Sequence, residues 1–149
     1  MGSRSLRQKT PAALPKRRLP YHVFVSHATA DKWIARMICE KIEAVGATYF
    51  RDDRDIDGGD DIPEQIRRAI NASHELVVLL TPVSFNREWV RMEVGAAWGR
   101  RKDFRIIALL CHVDTAPIPT IIKARKAIPL NDIDDYLSEL KARVQKANA

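Results

Sequence analysis

The sequence predicts an α/β fold in which helices cover both faces of one parallel β-sheet. Short apolar runs alternate with longer amphipathic stretches along the chain, which is the pattern of repeated strand–helix units. The clearest run, within residues 75–81, shows no alternation of polar and apolar side chains, as expected of a strand covered on both faces. The chain has 149 residues and a hydrophobic content of 46%, which is enough for one domain.

Five apolar runs predict the strands of this sheet. They are rich in Val, Ile, Leu and aromatic residues, which favour strands, and Gly, Pro, Asp or Asn residues lie between them. The predicted strands cover Tyr21 to Ser26, Ala47 to Arg51, Glu75 to Thr81, Phe104 to Cys111 and Ala127 to Leu130.

Four amphipathic stretches predict helices between and after these strands. The first has an apolar stripe at helical spacing, and Gly46 is a typical stop. The members of that stripe are Ile34, Met37, Ile38, Ile42 and Val45. Pro63 suits the first turn of the second helix. The predicted helices cover Asp31 to Val45, Pro63 to Ala72, Arg87 to Arg101 and Asp132 to Lys146.

Right-handed crossovers between parallel strands predict the flavodoxin-like strand order 2-1-3-4-5. Sites in such sheets lie beyond the carboxyl ends of the strands, where the strand order reverses. The loop after the first strand, with Ser26 and His27, and the loop after the third strand, residues 81–86, flank that point. The predicted helix 87–101 follows directly, so the topology predicts that Glu93 lies near Ser26 and His27.

Glu93 is the candidate catalytic residue. If residues 87–101 are helical, the positions three and four away from Glu93 hold only Val, Trp and Ala, so it has no ion-pair partner on its own helix. An unpaired carboxylate on a semi-apolar face is costly to desolvate and is therefore a candidate for chemistry. The alternative is that Glu93 only borders the core and reaches water or an arginine from elsewhere.

The positive charge of the chain belongs to its first residues. The net charge is +6, yet residues 1–19 contain six basic and no acidic residues, while from Pro20 onward basic and acidic residues balance at 19 each. Residues 1–19 also contain prolines and lack apolar periodicity. We therefore expect a disordered basic tail, residues 1–19, and one folded domain, residues 20–149, with nucleic-acid binding only through the tail.

Residues 1–19 contain no apolar run long enough for a secretory signal, and the chain contains none long enough for a membrane span. We therefore expect a cytoplasmic protein that does not bind membranes. Cys39 and Cys111 lie far apart in apolar runs and lack metal-ligand spacing, so we expect two buried, reduced thiols. The Asp-rich loop, residues 52–61, does not have the spacing of a Ca²⁺ loop, because no Glu stands at the twelfth position. We expect no metal site.

Two other chemistries known for this strand order do not fit the residues. A phosphorylated receiver domain needs an acidic pair after the first strand and an acceptor Asp after the third, where this chain has Ser26-His27 and Thr81-Pro82. A flavodoxin needs a phosphate loop rich in Ser and Thr after the first strand, where this chain has only Ser26 and Thr29. It also needs flanking aromatic residues for the flavin, and these are not evident. No Gly-rich dinucleotide motif follows any strand.

Four motifs in order resemble a TIR (Toll/interleukin-1 receptor) domain of the bacterial kind, from Tyr21 to about Asn148. They are Val23 to Ala28, Tyr49 to Gly59, Val77 to Ser84, and Trp89 to Glu93, the last matching the family's Trp-x-x-x-Glu. One departure is Arg87, which stands where a small Ser-like residue often precedes the Trp.

The resemblance implies one of two functions. Some TIR domains cleave NAD⁺, releasing nicotinamide and ADP-ribose or a cyclic isomer, in defence or stress signalling, and in these the Glu of the motif is catalytic, which implies that role for Glu93. In that case NAD⁺ is the substrate and no cofactor is needed. The dinucleotide pocket is then implied to include His27, Ala28, Thr29 and Asp57. Trp33 is a candidate stacking surface, with a core or capping role as the alternative.

Other members of the family are silent adaptors that only self-associate. The resemblance implies that residues 53–61, in the loop after the second strand, complete the site of a neighbouring copy in an oligomer or filament. Because no sensor domain is evident in this chain, we expect an activator or sensor protein in trans.

Overall fold

The computed structural model describes residues 20–51, 64–85, 104–113 and 126–149. Within them, five strands and three α-helices follow one another in the predicted order. The strands are β1 (His22–Ser26), β2 (Thr48–Arg51), β3 (Glu75–Leu80), β4 (Arg105–Leu110) and β5 (Lys126–Pro129). The helices are α1 (Lys32–Ala44), α2 (Glu64–Ala72) and α3 (Ile133–Ala147), and 3-10 turns at Thr29–Asp31 and Leu130–Asp132 lead into α1 and α3.

The strands form one parallel sheet in the order β2-β1-β3-β4-β5, which confirms the predicted topology. β1 pairs with β2 on one side and with β3 on the other, so the strand order reverses at β1. The register places Ser26 beside Val78, and β3 therefore extends two residues beyond the end of β1. The loops after β1 and β3 consequently leave the sheet side by side.

Each face of the sheet packs against its own helices because successive side chains of a strand point to opposite faces. Val23 and Val25 join the cluster formed with α1 and α3, whose fully buried members include Ile42 and Leu140. Phe24 lies between them in sequence and joins the second cluster, formed with α2. All six residues of β3 are buried, as the uninterrupted apolar run predicted.

The ends of the predicted elements that lie within the described residues are correct to within one or two residues, and two expectations about side chains were wrong. Met37 was placed in the apolar stripe of α1, but it is 40% exposed. The buried face of the helix is centred on Ile38 and Ile42, and Met37 lies outside it. Cys111 was expected to be buried, but it is partly exposed because it follows the last residue of β4, beyond the carboxyl end of that strand. Cys39 is buried as expected.

Gly46 ends the turn after α1 in a conformation that favours glycine. Its φ is +98°, in the left-handed region, which allows the chain to reverse from α1 into β2. A Cβ atom at this position would also lie 3.4 Å from Cγ1 of Val144 on α3. The predicted role of Gly46 as the helix stop is therefore correct.

Several predicted features lie outside the described residues. They are the tail, residues 1–19, the Asp-rich loop, residues 52–61, with Asp57, and the predicted helix 87–101, with Glu93.

Candidate functional site

The candidate site lies at the carboxyl ends of β1 and β3, where the strand order reverses. In doubly wound sheets a crevice forms at this point, because the loops on its two sides run in opposite directions. Here the two loops are joined by one hydrogen bond: the Thr81 hydroxyl donates to Oδ2 of Asp31 at 2.8 Å. The two residues are 50 positions apart in the sequence, so this bond fixes the β1 loop to the end of β3.

The turn after β3 is closed by a reciprocal pair of hydrogen bonds. The Thr81 N–H donates to Oγ of Ser84 at 2.9 Å, and the Ser84 N–H donates to Oγ1 of Thr81 at 3.1 Å. Both residues are buried, at 4% and 0% exposure, so neither bond competes with water. The chain therefore leaves β3 through a rigid turn on its way to the segment with Glu93.

The β1 loop holds His27 and Ala28 inside the domain. Both are buried, and Nδ1 of His27 lies 2.6 Å from the Ala28 carbonyl oxygen. Because a carbonyl oxygen only accepts, Nδ1 carries the proton in this contact. The Asp31 N–H donates to the same carbonyl at 2.9 Å. The histidine ring is thus fixed in one tautomer and one orientation.

Two large apolar side chains that lie close in sequence to the bonded residues are exposed. Trp33, two residues after Asp31, is 68% exposed, and Val83, two residues after Thr81, is 72% exposed. A core role for Trp33, one of the two predicted alternatives, is therefore wrong. Its indole is available to a ligand or to another protein chain.

The structure thus places some of the predicted site residues and leaves others undescribed. His27, Ala28, Thr29 and Trp33 lie in the loop after β1 and at the start of α1, with Thr29 exposed. Glu93 and Asp57 belong to the undescribed segments, so their predicted roles stay predictions. The sequence reasoning missed Asp31, Thr81 and Ser84. A polar Thr-x-x-Ser spacing directly after the most buried strand was the available signal for the last two.

A second polar cluster, the Glu75 cluster, lies at the opposite edge of the sheet. Glu75, the first residue of β3, is fully buried. The hydroxyl groups of Tyr21 and Tyr136 donate to its two oxygens at 2.5 and 2.8 Å. Arg143 adds two bonds, from Nε at 2.6 Å and from Nη2 at 3.1 Å. Through a single carboxylate this cluster connects β3 with α3 and with the residue that precedes β1.

The two tyrosines of the Glu75 cluster are held in their neutral form. Burial, followed by the hydrogen bond to Glu75 and its negative charge, raises the pKa of Tyr21 well above its ordinary value. Burial, followed by the charge of Glu75, raises the pKa of Tyr136 in the same direction. Both hydroxyls therefore remain donors to the carboxylate, as the geometry requires.

In the ranges that the structure describes, no group of three or more His, Cys, Asp or Glu side chains could hold a metal ion. Among the same residues, no helix is long and apolar enough to cross a membrane.

The sheet order and the polar contacts at its carboxyl edge define a doubly wound α/β domain, and folds of this kind bind ligands at the point where the strand order reverses. Residues 23–143 match the family model described as "TIR domain". The chain therefore belongs to the TIR domain family.

Three curated relatives show the range of proteins that contain similar domains. Stimulator of interferon genes protein from Magallana gigas is 31% identical over 143 residues, covering 88% of this chain and 34% of that protein. Toll-like receptor 13 from Mus musculus is 28% identical over 116 residues, covering 72% and 12%. NAD(+) hydrolase PdTIR from Paracoccus denitrificans (strain Pd 1222) is 29% identical over 76 residues, covering 50% and 25%. The chain thus spans about a third or less of the length of these relatives.

Solved structures agree with the fold. The TIR domains of the activated Roq1 resistosome superpose with a TM-score of 0.51 at 16% identity, covering 86% of this chain and 83% of that one. A diflavin flavoprotein A3 from Nostoc sp. gives a TM-score of 0.50 at 11% identity, covering 89% and 97%. At such identities the likeness concerns the fold alone.

Proposed function

We propose that the chain is an NAD⁺ glycohydrolase or ADP-ribosyl cyclase that acts in defence or stress signalling. It would cleave the bond between nicotinamide and ribose, giving nicotinamide and either ADP-ribose or a cyclic isomer. Membership of the TIR family supports this proposal, since one similar family member is named as an NAD(+) hydrolase. The Trp89 to Glu93 motif supports it further, because it supplies the carboxylate that this reaction needs.

The observation that carries the proposal is the hydrogen bond from Thr81 to Asp31. It holds together the two loops that flank the crevice, one of which contains His27, Ala28 and Thr29. The other loop closes at Ser84, and from there the chain continues into the segment with Glu93. Residues from both loops therefore converge on one end of the sheet, as a dinucleotide site requires.

One carboxylate is sufficient for this reaction. Ordinary glycoside hydrolysis uses two, because an alkoxide leaving group must be protonated by a general acid. Nicotinamide leaves as a neutral base, so no acid is needed. The remaining task is to stabilise a ribose with oxocarbenium character, and a desolvated carboxylate that binds the ribose hydroxyls does this electrostatically. We assign that role to Glu93.

The other site residues would bind the dinucleotide. His27 is fully buried, so we assign it to the dinucleotide pocket through its bond to the Ala28 carbonyl, which fixes the loop, while Thr29 is exposed in the same loop. Trp33 offers an exposed aromatic face for stacking on a base. Asp57 is assigned to the same pocket from the resemblance alone. The reaction needs no cofactor besides the substrate.

Activity would depend on assembly. In this proposal residues 53–61 of one copy complete the site of the next, in an oligomer or filament, and an activator or sensor protein in trans promotes that contact. Turnover should therefore rise more steeply than linearly with protein concentration.

Product analysis tests the proposal. Concentrated protein is incubated with NAD⁺, with and without a crowding agent, and nicotinamide, ADP-ribose and cyclic products are separated by chromatography. Glu93→Gln should lower turnover by roughly 100- to 1000-fold, the usual loss on removing one electrostatic stabiliser. Glu88→Gln, which changes a carboxylate in the same segment, is the matched control. Equal turnover by wild type and Glu93→Gln would remove Glu93 from its role.

A catalytically silent adaptor is the second candidate, and the exposed apolar side chains Trp33 and Val83 favour it. Such side chains suit a protein interface as well as a base. No nicotinamide from wild-type protein at any concentration, together with self-association that is lost when residues 53–61 are replaced by a Gly-Ser linker, would establish the adaptor instead.

A further inference from the structure

A cavity lies on the opposite edge of the sheet from the candidate site. It has a volume of about 310 Å³ and lies beneath the C-terminal half of α3, at the amino ends of β4 and β5. Its lining includes Phe104, Arg105, Ile107, Lys126, Glu139 and Arg143. No residue of this cavity belongs to the site proposed for NAD⁺.

The sequence pattern explains why basic side chains meet here. Arg105 is two residues before Ile107, so both point to the sheet face that α3 covers. Lys126 is the register partner of Ile107 on the neighbouring strand and shares that face. The first residues of β4 and β5, Arg105 and Lys126, therefore place two cations on the face that α3 covers.

The cavity has an excess of positive charge. Lys126 lies 2.8 Å from a Glu139 oxygen, and Nη1 of Arg143 lies 3.8 Å from the other. Arg105 forms no ion pair within the described ranges, and its side chain is exposed. Because Glu75 neutralises Arg143, the remaining cations Arg105 and Lys126 are balanced by one described carboxylate, Glu139, at the cavity wall.

Arg143 is held in place before any ligand arrives. Its Nε and Nη2 atoms donate to Glu75, and the two tyrosines fix Glu75 in turn. The guanidinium therefore keeps one orientation, with Nη1 on the side of Glu139. A buried ion pair is weak evidence for stability, because an apolar replacement is often as stable. What the contacts do establish is the orientation of the guanidinium at the cavity wall.

We propose that this cavity is a binding site for a small phosphorylated anion. Arg105, Lys126 and Arg143 would contact the phosphate oxygens, and Glu75 is the residue that positions Arg143. Guanidinium and ammonium groups are the donors that phosphates prefer, and a dianion balances the charge excess better than a single carboxylate does.

The surroundings limit the size of the ligand. A neighbouring depression of about 480 Å³ shares Lys126 and Glu139 with the cavity but is also lined by Asp132 and Asp135. These carboxylates repel an extended polyanion that continues along α3, so a nucleic acid is disfavoured. The ligand is a compact group that displaces Glu139 from the cations.

Titration with inorganic pyrophosphate, at constant ionic strength, tests the site in the full chain. Isothermal calorimetry should show saturable binding of one pyrophosphate that Arg105→Gln and Lys126→Gln each weaken roughly 10- to 100-fold, because each removes a charge-assisted contact. Both side chains are exposed, so the fold should persist, which circular dichroism checks. Lys141→Gln is the control, since Lys141 is exposed on the same helix but does not line the cavity.

Three results would overturn the proposal. They are the absence of saturable binding to wild type, an equal loss in all three variants, and undiminished binding by Arg105→Gln and Lys126→Gln, which would place the probe elsewhere. Cosedimentation with vesicles containing a phosphatidylinositol phosphate, lost in the same two variants, would support the site and identify the phosphate as a headgroup. Because binding rather than turnover is measured, failure of the NAD⁺ proposal leaves this test intact.

Discussion

Replacing Arg143 by leucine would leave the Glu75 carboxylate buried without its cation. Glu75 is fully buried and accepts two bonds from Arg143, at 2.6 and 3.1 Å. Breaking a buried ion pair by removing one partner costs about 3–5 kcal/mol, because an uncompensated charge remains in the interior. Native domains are stable by only about 5–15 kcal/mol, so this loss is a large part of the total.

Equilibrium unfolding in urea, followed by circular dichroism, measures the effect. In thermal unfolding, for a chain of this size, the same loss corresponds to a fall in Tm of roughly 6–20 °C. Arg143→Lys should lie between wild type and Arg143→Leu, because it keeps the charge but cannot form two parallel bonds. Lys141→Leu, on the exposed side of the same helix, is the matched control and should change stability by less than about 0.5 kcal/mol. A loss below about 1 kcal/mol for Arg143→Leu would refute the reasoning.

Three further predictions follow from contacts at the two edges of the sheet. Asp31→Ala should destabilise the domain by about 1–2 kcal/mol in urea unfolding, because the Thr81 hydroxyl loses a charged acceptor, whereas Thr81→Ser should be nearly neutral. The pKa values of Tyr21 and Tyr136 are raised above the ordinary 10.0, so their contribution is complete below pH 10.0 and is lost as the pH rises through the folded-state values. Urea midpoints should accordingly fall above about pH 10, and a constant midpoint would contradict this. Trp33→Ala should change stability by less than about 0.5 kcal/mol yet weaken NAD⁺ binding, measured as a raised KM with unchanged fold.

The strands and their order could be predicted because the information is local. Each strand is a short apolar run, and once the runs alternate with helices, the handedness of the crossovers leaves few possible sheet orders. The exposure of Met37 could not be predicted with the same accuracy. Helical spacing predicts which residues share the apolar side of α1, but it does not predict which of them are buried against the sheet. In the structure Ile38 and Ile42 are buried there and Met37 is not.

The Glu75 cluster was not predicted because its members are distant in sequence. Tyr21, Tyr136 and Arg143 lie 54, 61 and 68 positions from Glu75. No local pattern joins them, and only the folded register brings them together. The available signal was a carboxylate at the first position of a strand covered on both faces, where desolvation demands partners.

The candidate site was likewise predicted only in part. The position of the loops after β1 and β3 followed from topology, and the structure describes His27, Ala28, Thr29 and Trp33 there. The bond between Asp31 and Thr81 did not follow, because it joins two loops through side chains that any surface turn also contains. Sequence patterns place loops, whereas the choice of bonded partner depends on the exact separation of their backbones.

The Glu75 cluster also constrains the order of events during synthesis. β3 emerges from the ribosome well before Tyr136 and Arg143, and until those residues appear its carboxylate lacks two of its three partners. Burying that charge before its partners exist would be costly, so we expect the sheet to reach its final packing only after α3 has been made. A nascent chain is thereby kept from forming a finished domain, and from any catalysis that depends on one, until α3 has been translated.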